Sequence, residues 1–298
     1  MKKNIFINRI VTDLKIKLIN FKKLNLNKYM ILALKNKNFF FLKISTDRYT
    51  SQLIKNELKG YKNNKIKLKF KHLPKFKIID YKKNITAKID YLGNKKGNYF
   101  SYKHFLNKTK IYKNNFVNIN FYFQLILKNI FSFDKKIEEE LIKYNKLIIK
   151  KFRIKKVQVD VSHGDFVHWN TMIYNSKYFV YDLEFFSEKR VYIFDQIHWY
   201  LAPLIQKIYT YKLKKLIEKK YIFSLLIFFI KKIFFNFLSK KTFYFYLTLY
   251  LIEKELYYKN LIILMSKKKN YQKDYFLRTK FFMKFNHELI KHITRKSF

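Results

Sequence analysis

The sequence holds no cysteine, two prolines and only four glycines in 298 residues. Without cysteine there can be no disulfide, no thiolate zinc site and no thiol nucleophile. Proline, glycine and serine gather nowhere into a linker, and no internal repeat is present. Arginine is nearly as scarce: Arg9, Arg48, Arg153, Arg190, Arg278 and Arg295 are the six among 65 basic residues. Acidic residues number 20, so the formal net charge is +45. Such a charge suggests a nucleic-acid partner, but binders of nucleic acid favour arginine for its bidentate fork. Here the charge is almost all lysine, spread from end to end. It predicts weak attraction to anionic metabolites or membrane surfaces and no specific nucleic-acid site.

Alanine occurs three times, while lysine, asparagine, isoleucine, phenylalanine and tyrosine abound, a bias that fits AT-rich coding. Rare residue types are then the informative ones. Long apolar runs are missing too. The two longest, YIFSLLIFFI (221–230) and FYFYLTLYLI (243–252), reach about half the ~20 residues of a membrane span and are flanked by lysines. They read as buried helices. The opening MKKNIFINRIVTDLK is broken by Asn8, Arg9 and Asp13, short of a signal-peptide apolar region. The expected location is the cytoplasm.

What is present suffices for a sizeable core, since 49% of residues are hydrophobic. KYMILAL (28–34) and NFFFLKI (38–44) bracket KNKN, a β-hairpin pattern without glycine. A helix follows over 45–61, with Asp47 as its cap and Gly60 placed to end it. KIKLKF (65–70) and KFKIID (75–80) read as short strands around Pro74, and 85–97 as a strand with a glycine-marked loop. From about residue 100 the pattern turns helical. DKKIEEELIKYNKLIIKK (134–151) has Asp134 as N-cap, glutamates early, lysines late, and an apolar stripe of Ile137, Leu141, Tyr144 and Ile148. Two strands are expected around KVQVDVSHGD and KYFVYDLEFF, and packed helices from 195 onward. The fold class is α+β: a small strand-rich lobe, then a larger helical lobe.

Between those two strands, in VSHGDFVHWNTMIYNSKYFVYDLEFF (161–186), lies the densest set of chemistry-bearing residues. His163-Gly164-Asp165 is followed five residues after the aspartate by Asn170, then by Asp182 and Glu184. Phosphoryl transfer needs a carboxylate to take the hydroxyl proton, an asparagine and a carboxylate as Mg²⁺ ligands, and a lysine braced by a glutamate at the phosphates. A hairpin return would carry Asp182 back beside Asn170.

H-G-D-x-x-x-x-N followed by apolar-D-x-E resembles the signature of the aminoglycoside phosphotransferase and choline kinase group, which shares the protein-kinase-like fold. HGDFVHWN is similar to the form in bacterial members, YFVYDLEFF to the metal-binding segment, and YIFDQIHWYL (192–201) to the segment where an aspartate starts a helix. FFFLKI with Lys43, and Glu57 in the following helix, resemble the ATP-anchoring lysine and its glutamate. The resemblance implies a two-lobed fold, with residues 1–90 as the nucleotide-binding lobe and 91–298 carrying the catalytic loop, metal site and substrate-binding helices. It implies Asp165 as catalytic base, Asn170 and Asp182 as Mg²⁺ ligands, and Lys43 on the ATP phosphates with Glu57 holding it. His163 and Gly164 would shape the loop, and Glu184 would support the metal site or meet substrate. His168, Trp169 and Trp199 read as structural, and Asp195 as a brace of the loop or a helix cap. The sequence departs from the family in one respect: no glycine precedes Lys43 to form a phosphate-covering loop.

The expected activity is ATP-dependent transfer to a hydroxyl of a small molecule, a sugar, amino sugar or choline-like alcohol, as in cell-surface polysaccharide or lipid-headgroup metabolism. A polycationic aminoglycoside would need an acidic pocket, and 20 acidic residues make a poor host. The rival reading is a catalytically degenerate kinase fold kept as a scaffold or binding protein. The missing glycine loop favours it; intact Asp165, Asn170 and Asp182 oppose it.

Overall fold

The computed structural model describes residues 2–23, 28–81, 84–92, 97, 99–106, 115–129, 134–210, 220–234, 238–266 and 273–295. The chain divides into two compact units. The first comprises residues 1–109 with 168–186, and the second 110–167 with 187–298. Segments 91–109 and 168–186 thus pack with the strand-rich part, although they follow the residue-90 boundary in sequence.

In the first unit, helix α1 (Lys2–Asp13) precedes a five-stranded antiparallel sheet of order β1-β2-β3-β5-β4. Its strands are β1 (Lys17–Lys23), β2 (Lys28–Lys35), β3 (Asn38–Ser45), β4 (Phe76–Tyr81) and β5 (Asn84–Asp90). The β2–β3 turn takes positive φ at Asn36 (51°) and Lys37 (62°), as a two-residue hairpin turn of primed type requires. Asparagine tolerates this conformation, which is how the hairpin forms without glycine. The glycine-marked loop expected near 93–97 falls largely outside the described residues.

Helix α2 (Arg48–Lys62) begins at Asp47, whose carboxylate accepts from the Thr50 amide at 2.8 Å. Helix α3 (Asn64–Lys69) stands where a strand was expected over 65–70. Ile66, Leu68 and Phe70 alternate like a strand, but the Asn63 side chain accepts from the amides of Lys65 and Ile66 and nucleates a turn of helix. Leu68 is left 47% exposed. The KFKIID strand forms as β4.

Gly60 does not end α2, which runs two residues further. It permits a close approach instead. A Cβ there would meet the Cβ atoms of Leu183 and Phe186 at 3.0 Å each. Asn56 reinforces the contact by donating to the carbonyls of Glu184 (2.8 Å) and Phe186 (3.0 Å). Gly60→Val is therefore expected to cost about 1–3 kcal/mol by overpacking, read as a lower urea midpoint. An unchanged midpoint would show that α2 and residues 183–186 can separate freely.

Strands β8 (Thr171–Tyr174) and β9 (Lys177–Val180) make a second glycine-free hairpin, turning at Asn175 and Ser176 with φ 46° and 58°. Val180 is tied to His72 by an amide–carbonyl bond of 3.1 Å.

The second unit has a three-stranded antiparallel sheet of order β10-β7-β6, from β6 (Phe116–Asn118), β7 (Lys156–Ser162) and β10 (Ser187–Val191). Helices α4 (Ile119–Asn129), α5 (Lys135–Phe152), α6 (Phe194–Thr210), α7 (Lys220–Phe234), α8 (Lys240–Ser266) and α9 (Lys273–Thr294) supply the rest. The expected helix from Asp134 is α5: Asp134 accepts from the Lys136 amide and Arg153 ends the helix with φ 54°. The region after residue 100 is less uniformly helical than expected, since β6 pairs with the start of β7.

The 243–252 run forms α8 and is buried on every face. A helix apolar all round belongs in a core, and α9 packs along it. The 221–230 run forms α7 and buries only one face. Phe223, Leu226, Ile227 and Ile230 are inside; Leu225, Phe228 and Phe229 are exposed. Among the described residues no helix is long and apolar enough to cross a membrane.

Candidate functional site

Both units place sequence-expected residues in ordered polar clusters. In the first unit, strand alternation and the register opposite Met30 and Ala87 turn Lys43 inward on β3. Its side chain is only 8% exposed. Glu57 lies on the buried face of α2, four residues after Leu53 and three after Ile54. The Lys43 ammonium donates to both Glu57 oxygens at 3.0 Å, to Asp182 Oδ1 at 2.7 Å and to Glu184 Oε1 at 3.2 Å. Lys28, at the start of β2, makes a further ion pair with Glu184.

Burial alone would lower the Lys43 pKa, but the charges of Asp182, Glu57 and Glu184 reverse this and raise it well above the ordinary value. Burial raises the Glu57 pKa; the Lys43 ammonium opposes the rise, and Asp182 and Glu184 add to it. Asp182 has left-handed backbone (φ 64°, ψ 54°) and lies one residue past the Tyr181 amide, which donates to the Asn170 carbonyl at 2.9 Å. The hairpin return expected from the sequence therefore links the two segments through backbone. Asn170 is 8% exposed. Carboxylate oxygens of Glu57, Asp182 and Glu184 lie within 4.8 Å of one another, gathered around the Lys43 ammonium that all three accept from.

The second unit holds the loop with Asp165. Gly164 has φ 85°, a conformation costly for any residue with a Cβ. Asp195, at the start of α6, fastens the loop. It accepts from Ser162 Oγ at 2.7 Å and from the amides of His163 and Gly164 at 3.0 Å each. His163 is fully buried and accepts through Nδ1 from the Asp165 amide at 3.2 Å. Phe166 packs on buried Trp199 with ring centroids 4.8 Å apart.

Three residues outside the sequence-expected set complete this cluster. His198 Nε2 lies 2.7 Å from Asp165 Oδ1, and its Nδ1 lies 2.6 Å from the Tyr250 hydroxyl. Lys254 donates to the Gly164 carbonyl at 3.0 Å. Burial lowers the His198 pKa to about 4, with Lys254 adding to the fall and Asp165 only partly offsetting it. The ring is then neutral, so Nε2 carries the proton toward the carboxylate and Nδ1 accepts from Tyr250. Burial by itself would raise the Asp165 pKa. The hydrogen bond from His198, with the positive charge of Lys254 beside it, overcomes that and holds the carboxyl well below its usual range.

A signal for His198 exists in the sequence. Asp195 and His198 are three apart and share a face of α6. Tyr250 lies inside the 243–252 run and Lys254 one turn further on, and nothing in the sequence sets either apart from its neighbours.

A histidine held neutral at about 4 against ~6.5 unfolded makes the native state bind fewer protons between those values, so stability falls as pH drops from 6.5 to 4. The contribution is about 3 kcal/mol. His198→Asn is expected to lose about that much less than wild type between pH 7 and pH 4 in urea titrations. Equal losses would mean that another group governs acid lability; Asp165, Lys254 and Arg190 are the charged neighbours.

No family model and no curated protein matches the chain. Solved structures do. A thermostable mutant of aminoglycoside phosphotransferase APH(4)-Ia, in ternary complex with ADP and hygromycin B, superposes with a TM-score of 0.52 at 6% identity, covering 96% of this chain and 97% of that one. Its apo form gives 0.51 at 6% identity, covering 95% and 97%. A choline/ethanolamine kinase family protein from Mesorhizobium loti gives 0.42 at 9% identity, covering 94% and 92%. The chain has the protein-kinase-like fold of the aminoglycoside phosphotransferase group.

Proposed function

We propose that the chain is an ATP-dependent phosphotransferase acting on a hydroxyl of a small molecule. The observation that carries this reading is the buried Lys43 ammonium clasped by Glu57 and Asp182. A buried lysine surrounded by three carboxylates is poorly explained as a packing device, since apolar residues would serve stability better. It is well explained as a phosphate ligand kept in position.

In this reading Lys43 binds phosphate oxygens of ATP and Glu57 holds it in place. Asn170 and Asp182 would hold Mg²⁺, which when bound supplies charge neutralisation at the phosphates. Glu184 braces Lys43 and Lys28 beside them. Asp165 accepts the proton as the acceptor's O–H bond breaks and its oxygen bonds to the γ-phosphorus, with ADP departing. His163, Gly164 and Asp195 fix the loop that presents Asp165, and neutral His198 orients its carboxylate. Acceptors of the sugar, amino-sugar or choline-like kind fit the resemblance. The scaffold reading keeps one observation in its favour: the first glycine in the chain is Gly60, well after Lys43.

Mg²⁺-dependent ADP release, measured against a panel of sugars, amino alcohols and nucleosides, tests the proposal. Acceptor-dependent release that vanishes in Asp165→Ala supports it. Absence of both turnover and Mg²⁺-dependent ATP binding would transfer the assignment to the scaffold.

A further inference from the structure

A helix on the surface of a folded unit usually turns a charged face to water. Helix α5 does so: it exposes lysines and glutamates, with Ile142 the one large apolar side chain among them. Helix α7 does not. Between Ile222 and Phe234 it exposes Ser224, Leu225, Phe228, Phe229 and Lys232. Steps of three and four residues put these on one stripe. Leu225, Phe228 and Phe229 are 50, 49 and 59% exposed. Apolar side chains scattered singly over a surface are ordinary, but three together on one stripe mark a contact face.

The opposite side of α7 is already used. Phe223 packs on Phe285 of α9, with ring centroids 5.4 Å apart, and Phe234 on Phe243 of α8 at 5.8 Å. The outward stripe is therefore not the helix's own core contact. Its two phenylalanine rings meet at 6.0 Å and 72°, and the Lys232 ammonium stands 4.9 Å from the Phe228 ring centroid. Apolar rings thus project with a long-stemmed cation directly beside them, an arrangement in which the stem can follow the rings while the charge stays at a polar boundary.

Charge narrows what can cover this stripe. From residue 219 to residue 252 the sequence has six lysines and no acidic residue. On the helices that touch α7, the carboxylates are engaged elsewhere: Asp195 with Ser162, Glu253 with Arg190, Glu255 with Tyr144, Asp274 with Tyr209 and Glu288 with Lys291. A second copy of a chain with net charge +45 would be repelled. Three large apolar side chains also fall far short of the roughly 20–30 residues a side of a stable protein interface. An anionic lipid surface meets both conditions, since it complements the lysines and accepts a few apolar side chains without a matching pocket. Helix α7 has 15 residues and is not long enough to cross a bilayer, so it would lie in the plane of the interface.

We infer that the outward stripe of α7 docks on an anionic bilayer surface, with Leu225, Phe228 and Phe229 entering between the headgroups and Lys231 and Lys232 at the lipid phosphates. A chain held in this way works at a lipid surface rather than in bulk solution.

The test is co-sedimentation of the full-length protein with vesicles of phosphatidylcholine alone and of phosphatidylcholine with about one-third phosphatidylglycerol. Binding is expected to the anionic vesicles and to weaken at about 0.5 M NaCl. Phe228→Ser/Phe229→Ser is expected to weaken it about tenfold or more. Lys231→Glu/Lys232→Glu is expected to weaken it more than Lys135→Glu/Lys136→Glu, which makes the same change of charge on α5. Phe229→Trp exchanges one apolar ring for another and does not depend on the serine variant folding. Its emission is expected to shift to shorter wavelength on anionic vesicles, relative to wild type, and to be quenched by brominated acyl chains.

Equal binding to neutral vesicles, or no binding to either kind, overturns the inference. So does binding indifferent to Phe228→Ser/Phe229→Ser, or equally weakened by the two lysine pairs, because the charge of the whole chain would then suffice. An unshifted emission in Phe229→Trp overturns the insertion. A lipid-free dimer in sedimentation velocity that Phe228→Ser/Phe229→Ser dissolves would give the stripe to a second copy instead. Neither ATP nor Mg²⁺ enters these assays, so their outcome is separate from that of the phosphotransferase reading.

Discussion

Asp165→Asn is expected to lower acceptor-dependent ADP release by about 10²–10⁴-fold, the usual worth of a positioned general base. The substitution is nearly isosteric. Asparagine Oδ1 can still accept the His198 Nε2 proton, so the Tyr250–His198 chain keeps its geometry. The loop itself hangs on Asp195, which holds Ser162, His163 and Gly164 and does not depend on the carboxylate of Asp165. The loss therefore falls on kcat with little change in KM, and the melting temperature falls as well, because buried Lys254 loses the negative charge of Asp165. A base held so far below the usual carboxylate range is a weak one. That is tolerable in phosphoryl transfer, whose loose transition state leaves proton removal late and positioning dominant. Less than a tenfold loss in Asp165→Asn would remove Asp165 from the reaction.

Lys43→Met is expected to abolish nucleotide binding and to cost about 3–5 kcal/mol of stability at pH 7, the typical result of removing one partner from a buried ion pair. Glu57 is fully buried and, among the described residues, would be left facing Asp182 and Glu184 with no cation bonded to it, since Lys28 there pairs with Glu184. Asp182, about one-third exposed, contributes less because solvent screens it. A second substitution, Glu57→Leu in the Lys43→Met background, is expected to restore a good part of the loss, because an apolar pair needs no desolvated charge. Equilibrium urea unfolding reads both. A cost below about 1 kcal/mol in the single variant would mean that Glu57 takes up a proton and settles as a neutral acid.

The site was legible where it was written in rare residues. One of four glycines stands between His163 and Asp165, and this local oddity marks a loop that needs φ 85°. Helix α5 was legible because its cap, charge bias and stripe all agree. Helix α3 was not, because a six-residue element offers too few positions to separate alternation from helical spacing, and the deciding bond comes from the side chain of Asn63. Gly60 misleads for a different reason. A helix-terminating glycine and one crossed by a distant segment look alike until residues 183 and 186 are seen against it. Lys28 and Lys254 were hidden by abundance: among 65 basic residues no lysine announces itself, and only burial distinguishes these two.

The order in which the chain is made bears on how the first unit can be completed. Residues 168–186 belong to that unit, yet residues 110–167 of the other unit are synthesised before them. While the ribosome extends the chain at roughly 5–20 residues per second, β2, β3 and α2 can already form, but Asp182, Glu184 and the wall against Gly60 do not yet exist. Lys43 and Glu57 emerge first and wait for their partners. A nascent chain stopped anywhere before residue 186 therefore presents an unfinished polar cluster and an unpacked helix face. The first unit therefore cannot be completed in simple N-to-C order; it closes only after residue 186 has appeared.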